Sequence, residues 1–485
     1  MTTQPAILII RKLIESFVDR NSFFELDPLA EHDCTHFGSE HRKTPGDGII
    51  TGFARINGRS VVLYAHDANF LGGSSSRMHA LKITKVLDLA LKTGVPVIGL
   101  NNSTGIRIHE GVDAGVQFGE VFYKIVKASG VIPQISILLG DCAGGAAYAP
   151  ALTDVVIMVK NNSTMFLTGP AVIRQATGEE VTKEDIGGAM LHAKTTGLAH
   201  FLVDTPEEAI RLARDLLEFL PQNNCSVVPH RPAEDRIKAR LSEIIPQNSN
   251  EPYDVTRIIR EIVDRANYLE VHHHYAPNIV TVFAHLGGIP IGIIANQPQI
   301  LAGCLDIAAS EKAARFVRFC NAFNIPILTL IDVPGYLPGI NQEEGGIIGS
   351  GAKLLHAYCE SSVPKIAVIL RKAYGGAHPT LANQWATDMI FALPEAEIAI
   401  MGPQAAVDII FRRQMLDAED PQARRAELAT EYRNAHASAN YSARRGYING
   451  FLNDQTIRPV LTNAFRILQD KIEITPRRKH SNIQL

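Results

Sequence analysis

The sequence predicts an α/β protein made of two tandem copies of one domain, and three observations carry that reading. Landmarks recur through the chain at a spacing of roughly 230 residues. Each copy alternates short apolar runs with amphipathic stretches. A Gly-Gly-Ala triplet then closes an apolar run in each copy, at Gly144-Gly145-Ala146 and Gly375-Gly376-Ala377.

The repeat holds over many landmarks. "GFARINGRSVVLYAHDANFLGGS" from Gly52 lies on "VFAHLGGIPIGIIANQPQILAGC" from Val282, so Gly58 meets Gly288 and Leu71-Gly72-Gly73 meets Leu301-Ala302-Gly303. "GVPVIGLNNSTG" then lies on "NIPILTLIDVPG", and Pro133 meets Pro364 after a slip of one residue. The two copies close on "FLTGP" (Phe166–Pro170) and "AIMGP" (Ala399–Pro403). Within the first copy, "SVVLYA", "VPVIGL", "ISILLG" and "DVVIMV" are strand-length runs bounded by Gly, Asn and Pro. Ala80, Ile83, Leu87 and Ala90 mark one face of a helix, and "GVQFGEVFYKIVKAS" marks a second. Strands alternating with helices imply parallel or mixed sheets with crossovers. The stretch from Pro221 to Asp254, rich in Pro and Asn around one short charged helix, reads as a linker. The domains are therefore expected at 1–240 and 241–485. Arg412 to about Ser438 reads as helix with an exposed charged face.

Bulk properties exclude several classes. With 485 residues, 46% hydrophobic and 20% charged, the chain is globular and too long for one ordinary core. A net charge of −3 gives no footprint for nucleic acid or an anionic membrane. No apolar run reaches the roughly 18–20 residues of a spanning helix, and "MTTQPAILIIRKLIESF" lacks a signal-peptide cleavage site. The six cysteines are scattered without a Cys-x-x-Cys pair, so they are expected to be reduced, cytoplasmic and not metal ligands. His272-His273-His274 reads as a polar run at a strand edge, because it has no spaced partner for a metal. Asp67, Glu110 and Asp141 read as capping or positioning acids.

A strand that ends in Gly-Gly-Ala and opens a helix presents backbone N–H groups with no intrahelical partner. Glycine allows close approach of a ligand, and the helix start favours developing negative charge. Two such turns in equivalent places suit a reaction in which two carbonyl-type oxygens both become anionic.

The chain resembles the carboxyltransferase (beta) subunit of biotin-dependent acyl-CoA carboxylases of the propionyl-CoA and acetyl-CoA carboxylase type. The anchors are "DGIITGFARINGR", "ASGVIPQISILLGDCAGGAAYAPALTD", "TGEEVTKEDIGGAMLHAKTTGLAH", "YAPNIV", "ANQPQILAGCLDIAASEKAARFVRFCNAFNIPILTLIDVPGYLPG", "RKAYGGA" and "PRRKHSNIQL". The resemblance implies two tandem crotonase-like (ClpP/crotonase) domains, the first on the acyl-CoA side and the second on the biotin side. It implies transfer of a carboxyl group from carboxybiotin to the α-carbon of an acyl-CoA. On the same scaffold, an acyl-CoA decarboxylase is the second reading.

By that resemblance, the N–H groups of Gly144 and Gly145 hold the thioester oxygen, and those of Gly376 and Ala377 hold the biotin oxygen. Gly105, Arg107, Cys142, Ala143, Ala146, Gly375, His378 and Pro379 are the expected substrate-binding positions. The implied cofactor is biotin on a separate carrier, with coenzyme A as part of the substrate and no metal. Implied partners are a biotin carboxylase and biotin carboxyl carrier subunit, and further copies of the chain in a hexamer. The sequence departs from the family pattern at Ile106, where the family tends to hold alanine, at Gly349-Ser350, and at Arg77 and Leu81. It departs again at His378-Pro379, where proline is expected to hold His378 in extended geometry and so redirect the chain after Ala377.

Overall fold

The computed structural model describes residues 4–234 and 238–484. The chain forms two compact units, the first ending at Val228 and the second beginning at Pro229. That division lies twelve residues before the boundary expected at 240/241, because the intervening segment is bonded to the second unit. Arg231 N–H donates to Gly288 O, and Ala239 N–H donates to Asp454 O. The short charged helix expected between Pro221 and Asp254 is absent among the described residues, which run as irregular chain and turns; residues 235–237 of it lie outside them.

The first unit is an eight-stranded sheet. Its strands are β1 (Phe24–Leu26), β2 (Ile49–Ile56), β3 (Arg59–His66), β4 (Val97–Ser103), β5 (Gln134–Ala143), β6 (Val155–Val159), β7 (Thr164–Phe166) and β8 (Phe201–Val203). The order is β1-β2-β3-β4-β5-β6-β8, with β7 paired to β5 off this path. The four apolar runs named above form β3 to β6. Ala80, Ile83, Leu87 and Ala90 are the buried face of the helix Arg77–Thr93, as their spacing predicts. Ser76 caps that helix by accepting from His79 N–H.

In the second unit the strands are β9 (Tyr268–Val271), β10 (Ile279–Leu286), β11 (Ile289–Asn296), β12 (Ile327–Val333), β13 (Lys365–Tyr374), β14 (Met389–Ala392), β15 (Glu397–Ala399) and β16 (Gly450–Phe451). The order β16-β14-β13-β12-β11-β10-β9, with β15 paired to β13, repeats the first unit strand for strand. Small features repeat too. Parallel register slips between Asn101 and Ser103 and again between Ile331 and Val333. Asp306 caps the helix Ile307–Ala322 as Ser76 caps its counterpart.

Each unit also buries a lysine in a cage of carbonyls. Lys82 Nζ donates to Gly46 O and Ile49 O, and Lys312 Nζ donates to the carbonyls of His272, Tyr275, Ala276 and Ile279. The late charged stretch is helical in two pieces, Arg412–Leu416 and Pro421–Tyr432, continued by a wider turn over Arg433–Ala437. The break falls where Asp420 caps a new helix that has Pro421 in its first turn.

Candidate functional site

The two glycine triplets stand at the ends of β5 and β13, and both strands change partner just before them. β5 pairs with β6 through Leu138 and then with the short strand β7, Ala143 opposite Phe166. β13 pairs with β14 through Ile369 and then with β15, Tyr374 opposite Ala399. Gly144 follows with φ 58° and ψ −130°, the mirror image of extended backbone, which a side chain resists. Gly375 shares the φ of 58°.

That conformation sends the first N–H of each triplet back to the short strand. Gly144 N–H donates to Phe166 O at 2.9 Å, and Gly375 N–H donates to Ala399 O at 3.0 Å. The chain then turns into a helix, closed by Ala147 N–H on Gly144 O at 3.0 Å and by His378 N–H on Gly375 O at 3.3 Å. Between these bonds, two consecutive N–H groups in each unit have no partner among the described residues: Gly145 and Ala146, and Gly376 and Ala377. Each pair opens a helix, Gly145–Ala151 or Ala377–Leu381, and is suited to an oxygen that gains negative charge.

The structure thus differs from the expected donor set at one position. Gly144 N–H is already bonded, so the first-unit pair equivalent to Gly376 and Ala377 is Gly145 and Ala146. Ala146, expected only to line the substrate, supplies a donor. Gly144 and Gly375 set the turn instead.

One side chain from the neighbouring strand's loop stands over each second glycine. A Cβ on Gly145 would lie 3.3 Å from Ile106 Cγ1, and one on Gly376 would lie 3.8 Å from the ring of Tyr336. Ile106 and Tyr336 are repeat equivalents, each bridged to the segment before the first long helix of its unit, at Ser75 and Leu305. The Tyr336 hydroxyl lies 3.1 Å from Thr380 Oγ1, which itself donates to Gly376 O at 2.8 Å. Ile106 is visible in sequence as bulk where a small residue is expected. Tyr336 is visible only by laying Gly335-Tyr336 on Gly105-Ile106. Gly105, with φ 108°, packs its Cα against Ala143; a Cβ there would lie 3.0 Å from Ala143 O. Gly105 therefore packs against the end of β5, next to the turn that Gly144 begins.

Two expected substrate-binding side chains are spent elsewhere. Arg107 is 1% exposed, and its guanidinium donates to Asp47, Glu110 and Ser74. It ties three loops together, and four of its five N–H donors are taken within the protein. Cys142 is 1% exposed in an apolar cluster with Leu138, Met158 and Met165, and burial pushes its thiol up to about 12. Only its backbone takes part, through the pairing with β7.

His378 and Pro379 sit beside the second pair but do not redirect the chain. Both lie inside the helix Ala377–Leu381, so His378 is helical and not extended. Pro379 falls in the first turn, where the missing N–H is not needed. His378 is half-buried, and burial lowers its pKa below the ordinary 6.5, which leaves the imidazole neutral at pH 7. Ser350 is buried, with its hydroxyl on Glu311. Asp67 accepts from Asn69 N–H and Glu110 from Arg77 N–H, capping and positioning bonds. His272 begins a turn after β9, and His273 pairs with Glu270 at 2.9 Å. Among the described residues, no group of three or more His, Cys, Asp or Glu is placed to hold a metal ion. None of their helices is long and apolar enough to cross a membrane, and all six cysteines are free thiols.

Comparison with known proteins agrees with this geometry. The family model described as the carboxyl transferase domain matches residues 6–483. The chain is 48% identical over 479 residues to methylmalonyl-CoA decarboxylase subunit alpha of Veillonella parvula, covering 98% of this chain and 92% of that protein. It is 48% identical over 479 residues to the propionyl-CoA carboxylase carboxyltransferase subunit of Haloferax mediterranei, covering 98% and 93%. Among solved structures it matches the hexameric transcarboxylase 12S, seen with methylmalonyl-coenzyme A and methylmalonic acid bound. The TM-score there is 0.95 at 42% identity, over 98% of this chain and 92% of that one. Two repeated α/β units with matching glycine turns, and a family match over almost the whole chain, lead to one conclusion: this chain belongs to the carboxyl transferase domain family, as a pair of tandem crotonase-like domains.

Proposed function

We propose that the chain moves a carboxyl group between carboxybiotin and the α-carbon of an acyl-CoA, with each unit holding one of the two oxygens that become anionic. The observation that carries this reading is the pair of unpartnered N–H groups repeated in both units, Gly145 with Ala146 and Gly376 with Ala377. The first unit, read from the sequence as 1–240, takes the acyl-CoA, and the second, 241–485, takes the biotin. A ureido oxygen accepts hydrogen bonds and donates none, which fits the two free donors of the second turn.

Biotin, attached to a carrier on another chain, supplies the carboxyl group and a ureido nitrogen able to take the α-proton. Gly376 and Ala377 hold the ureido oxygen and keep that ring in one orientation. Gly145 and Ala146 hold the thioester oxygen, and their bonds strengthen as loss of the α-proton places negative charge there. Each such donor contributes about 2.7–4 kcal/mol when its acceptor becomes an oxyanion. Ile106 and Tyr336 stand beside the two turns, where each limits the side from which a ligand can approach.

The partners in this reading are a biotin carboxylase, a biotin carboxyl carrier and further copies of the chain in a hexamer, as in transcarboxylase 12S, in a cytoplasmic setting. Microscopic reversibility lets the same donors serve either direction. The chain is 48% identical to a methylmalonyl-CoA decarboxylase subunit and to a propionyl-CoA carboxylase subunit alike, so a second reading has net flow from a malonyl-type CoA to CO2.

The test is carboxyl exchange by the purified protein on propionyl-CoA and methylmalonyl-CoA, with and without biotinylated carrier. Exchange that requires the carrier supports the proposal, and its preferred direction separates the two readings. Release of CO2 from methylmalonyl-CoA without carrier overturns the biotin assignment.

A further inference from the structure

We propose that Asp141 and Glu397 are positioning residues. Through the ion pairs Asp141–Lys183 and Glu397–Arg433 they fasten the short strands that aim the two donor pairs. This inference rests on the donor assignment made above and adds the device that holds the donors in place.

The short strands β7 and β15 are three residues each, too short to hold their own position. Yet Phe166 O and Ala399 O, at their ends, accept the first N–H of each triplet and so fix the direction of the next two. Each strand is gripped on one side by β5 or β13 and on the other by a single bridge, Thr164 to Gly188 or Glu397 to Ser438. Gly188 and Ser438 each follow a five-residue helical turn, Lys183–Gly187 or Arg433–Ala437. The basic residue that opens that turn makes the ion pair.

In the first unit the acid stands on β5, three residues before Gly144. Asp141 pairs with Lys183, and its other oxygen accepts from Thr164 of β7 at 2.7 Å. Burial raises the Asp141 pKa, but the bonds from Lys183 and Thr164 outweigh burial and hold it below the ordinary carboxylate value. In the second unit the acid has moved across the strand pair. Lys372 stands at the position of Asp141, and Glu397 stands at that of Thr164. Glu397 accepts from Arg433 Nε at 2.7 Å and from the hydroxyl of Tyr374, the residue before Gly375. The same three pieces (long strand, short strand and helical turn) are thus joined by one acid and one base in both units, although the acid comes from different strands. An ion pair placed twice by different residues, at equivalent cross-strand pairs beside equivalent turns, points to the turn as what it serves.

Both pairs are partly solvated. Lys183 is 53% exposed and Arg433 36%. Pairs of that kind add little to global stability. Misplacing a donor by about 1 Å costs about a hundredfold in rate. The two roles are therefore separable in one set of variants. Asp141→Asn, Lys183→Met, Glu397→Gln and Arg433→Met are assayed as the full-length protein with biotinylated carrier, for kcat, KM and thermal midpoint, with Lys183→Arg as the conservative variant.

Expected are a kcat lower by about ten- to a hundredfold and KM for the acyl-CoA within about twofold, because the donors gain most in the transition state. The midpoint should shift by no more than about 2–4 °C, and Lys183→Arg should recover most of the lost kcat. Unchanged kcat in Asp141→Asn and Glu397→Gln overturns the proposal, as does a kcat that falls only in step with the midpoint. If removing a donor itself (Gly376→Pro, judged against Gly376→Ala) leaves kcat alone, the donor assignment fails first. If that removal lowers kcat while the four ion-pair variants do not, only the positioning role fails.

Discussion

Gly144 donates its N–H to Phe166 O at 2.9 Å, and this bond leaves Gly145 and Ala146 as the outward-facing donors of the first turn. The arrangement depends on the φ of 58° and ψ of −130° that Gly144 adopts. Gly144→Ala adds a Cβ with open space around it, its nearest neighbour being Leu167 O at 3.8 Å, so its cost is backbone strain and not a clash. A penalty of about 1–3 kcal/mol is expected in chemical denaturation, with a loss of exchange activity larger than the stability loss explains.

Ile106 stands beside the first turn, to which the proposed mechanism brings the acyl group. Ile106→Ala removes the side chain 3.3 Å from the Cβ position of Gly145. The expected outcome is a kcat/KM ratio that moves about tenfold towards longer or branched acyl-CoAs over propionyl-CoA, measured with a panel of acyl chains. An unchanged ratio would place the acyl chain on another side of the turn.

Acid sensitivity follows from buried histidines. His66 lies at the end of β3, with Nδ1 3.3 Å from Leu100 O and no partner for Nε2 among the described residues, and burial lowers its pKa to about 4. Its unfolded value is 6.5, so between pH 6.5 and 4 the unfolded chain binds a proton that the folded chain refuses. Stability therefore falls as pH drops through that window, by about 3 kcal/mol from this residue alone. The repeat counterpart is Asn296, which does not titrate. His66→Asn should flatten the decline between denaturation curves taken at pH 7 and pH 5, and His79, also pulled well below 6.5 by burial, accounts for acid sensitivity that remains.

Lys312 gives a prediction of opposite range. Burial lowers its pKa to about 7, while its ammonium faces four carbonyls. The folded chain releases this proton before the unfolded chain does, so stability rises with pH between about 7 and 10.5. Lys312→Met leaves the four carbonyls without a donor. A loss of about 2–4 kcal/mol at pH 7 and a flatter alkaline limb are expected in thermal and denaturant melts.

Much of the fold was legible in the sequence because the duplication supplied a second reading of every element. Gly58 and Gly288 both proved to be left-handed turn glycines, and Leu71-Gly72-Gly73 and Leu301-Ala302-Gly303 both form a three-residue turn of left-handed backbone. The site was legible to the level of the two triplets and no further. That Gly144 N–H is occupied depends on Phe166, a pairing distant in sequence that no local pattern announces. Both acceptor carbonyls, Phe166 and Ala399, are nevertheless the first residues of the landmarks "FLTGP" and "AIMGP" that closed the repeat. Arg107 was expected at the substrate by resemblance alone; that its guanidinium is bonded to Asp47, Ser74 and Glu110 depends on three separate loops meeting, which no local pattern announces. His378 was misread because proline at the next position suggests extended chain, a rule that yields in the first turn of a helix.

Whether the free N–H groups of the two turns act on developing oxyanions can be tested on one atom at Gly376. Its φ of −65° and ψ of −20° already suit proline, its N–H has no partner to lose, and a Cβ there would sit 3.8 Å from Tyr336. Gly376→Ala adds the Cβ and keeps the donor; Gly376→Pro removes the donor as well. The measurement is kcat for carrier-dependent carboxyl exchange by both variants, with their melting curves alongside. The proline variant is expected to fall about 10²–10³-fold below the alanine variant at similar stability. Equal kcat in the two folded variants would contradict it.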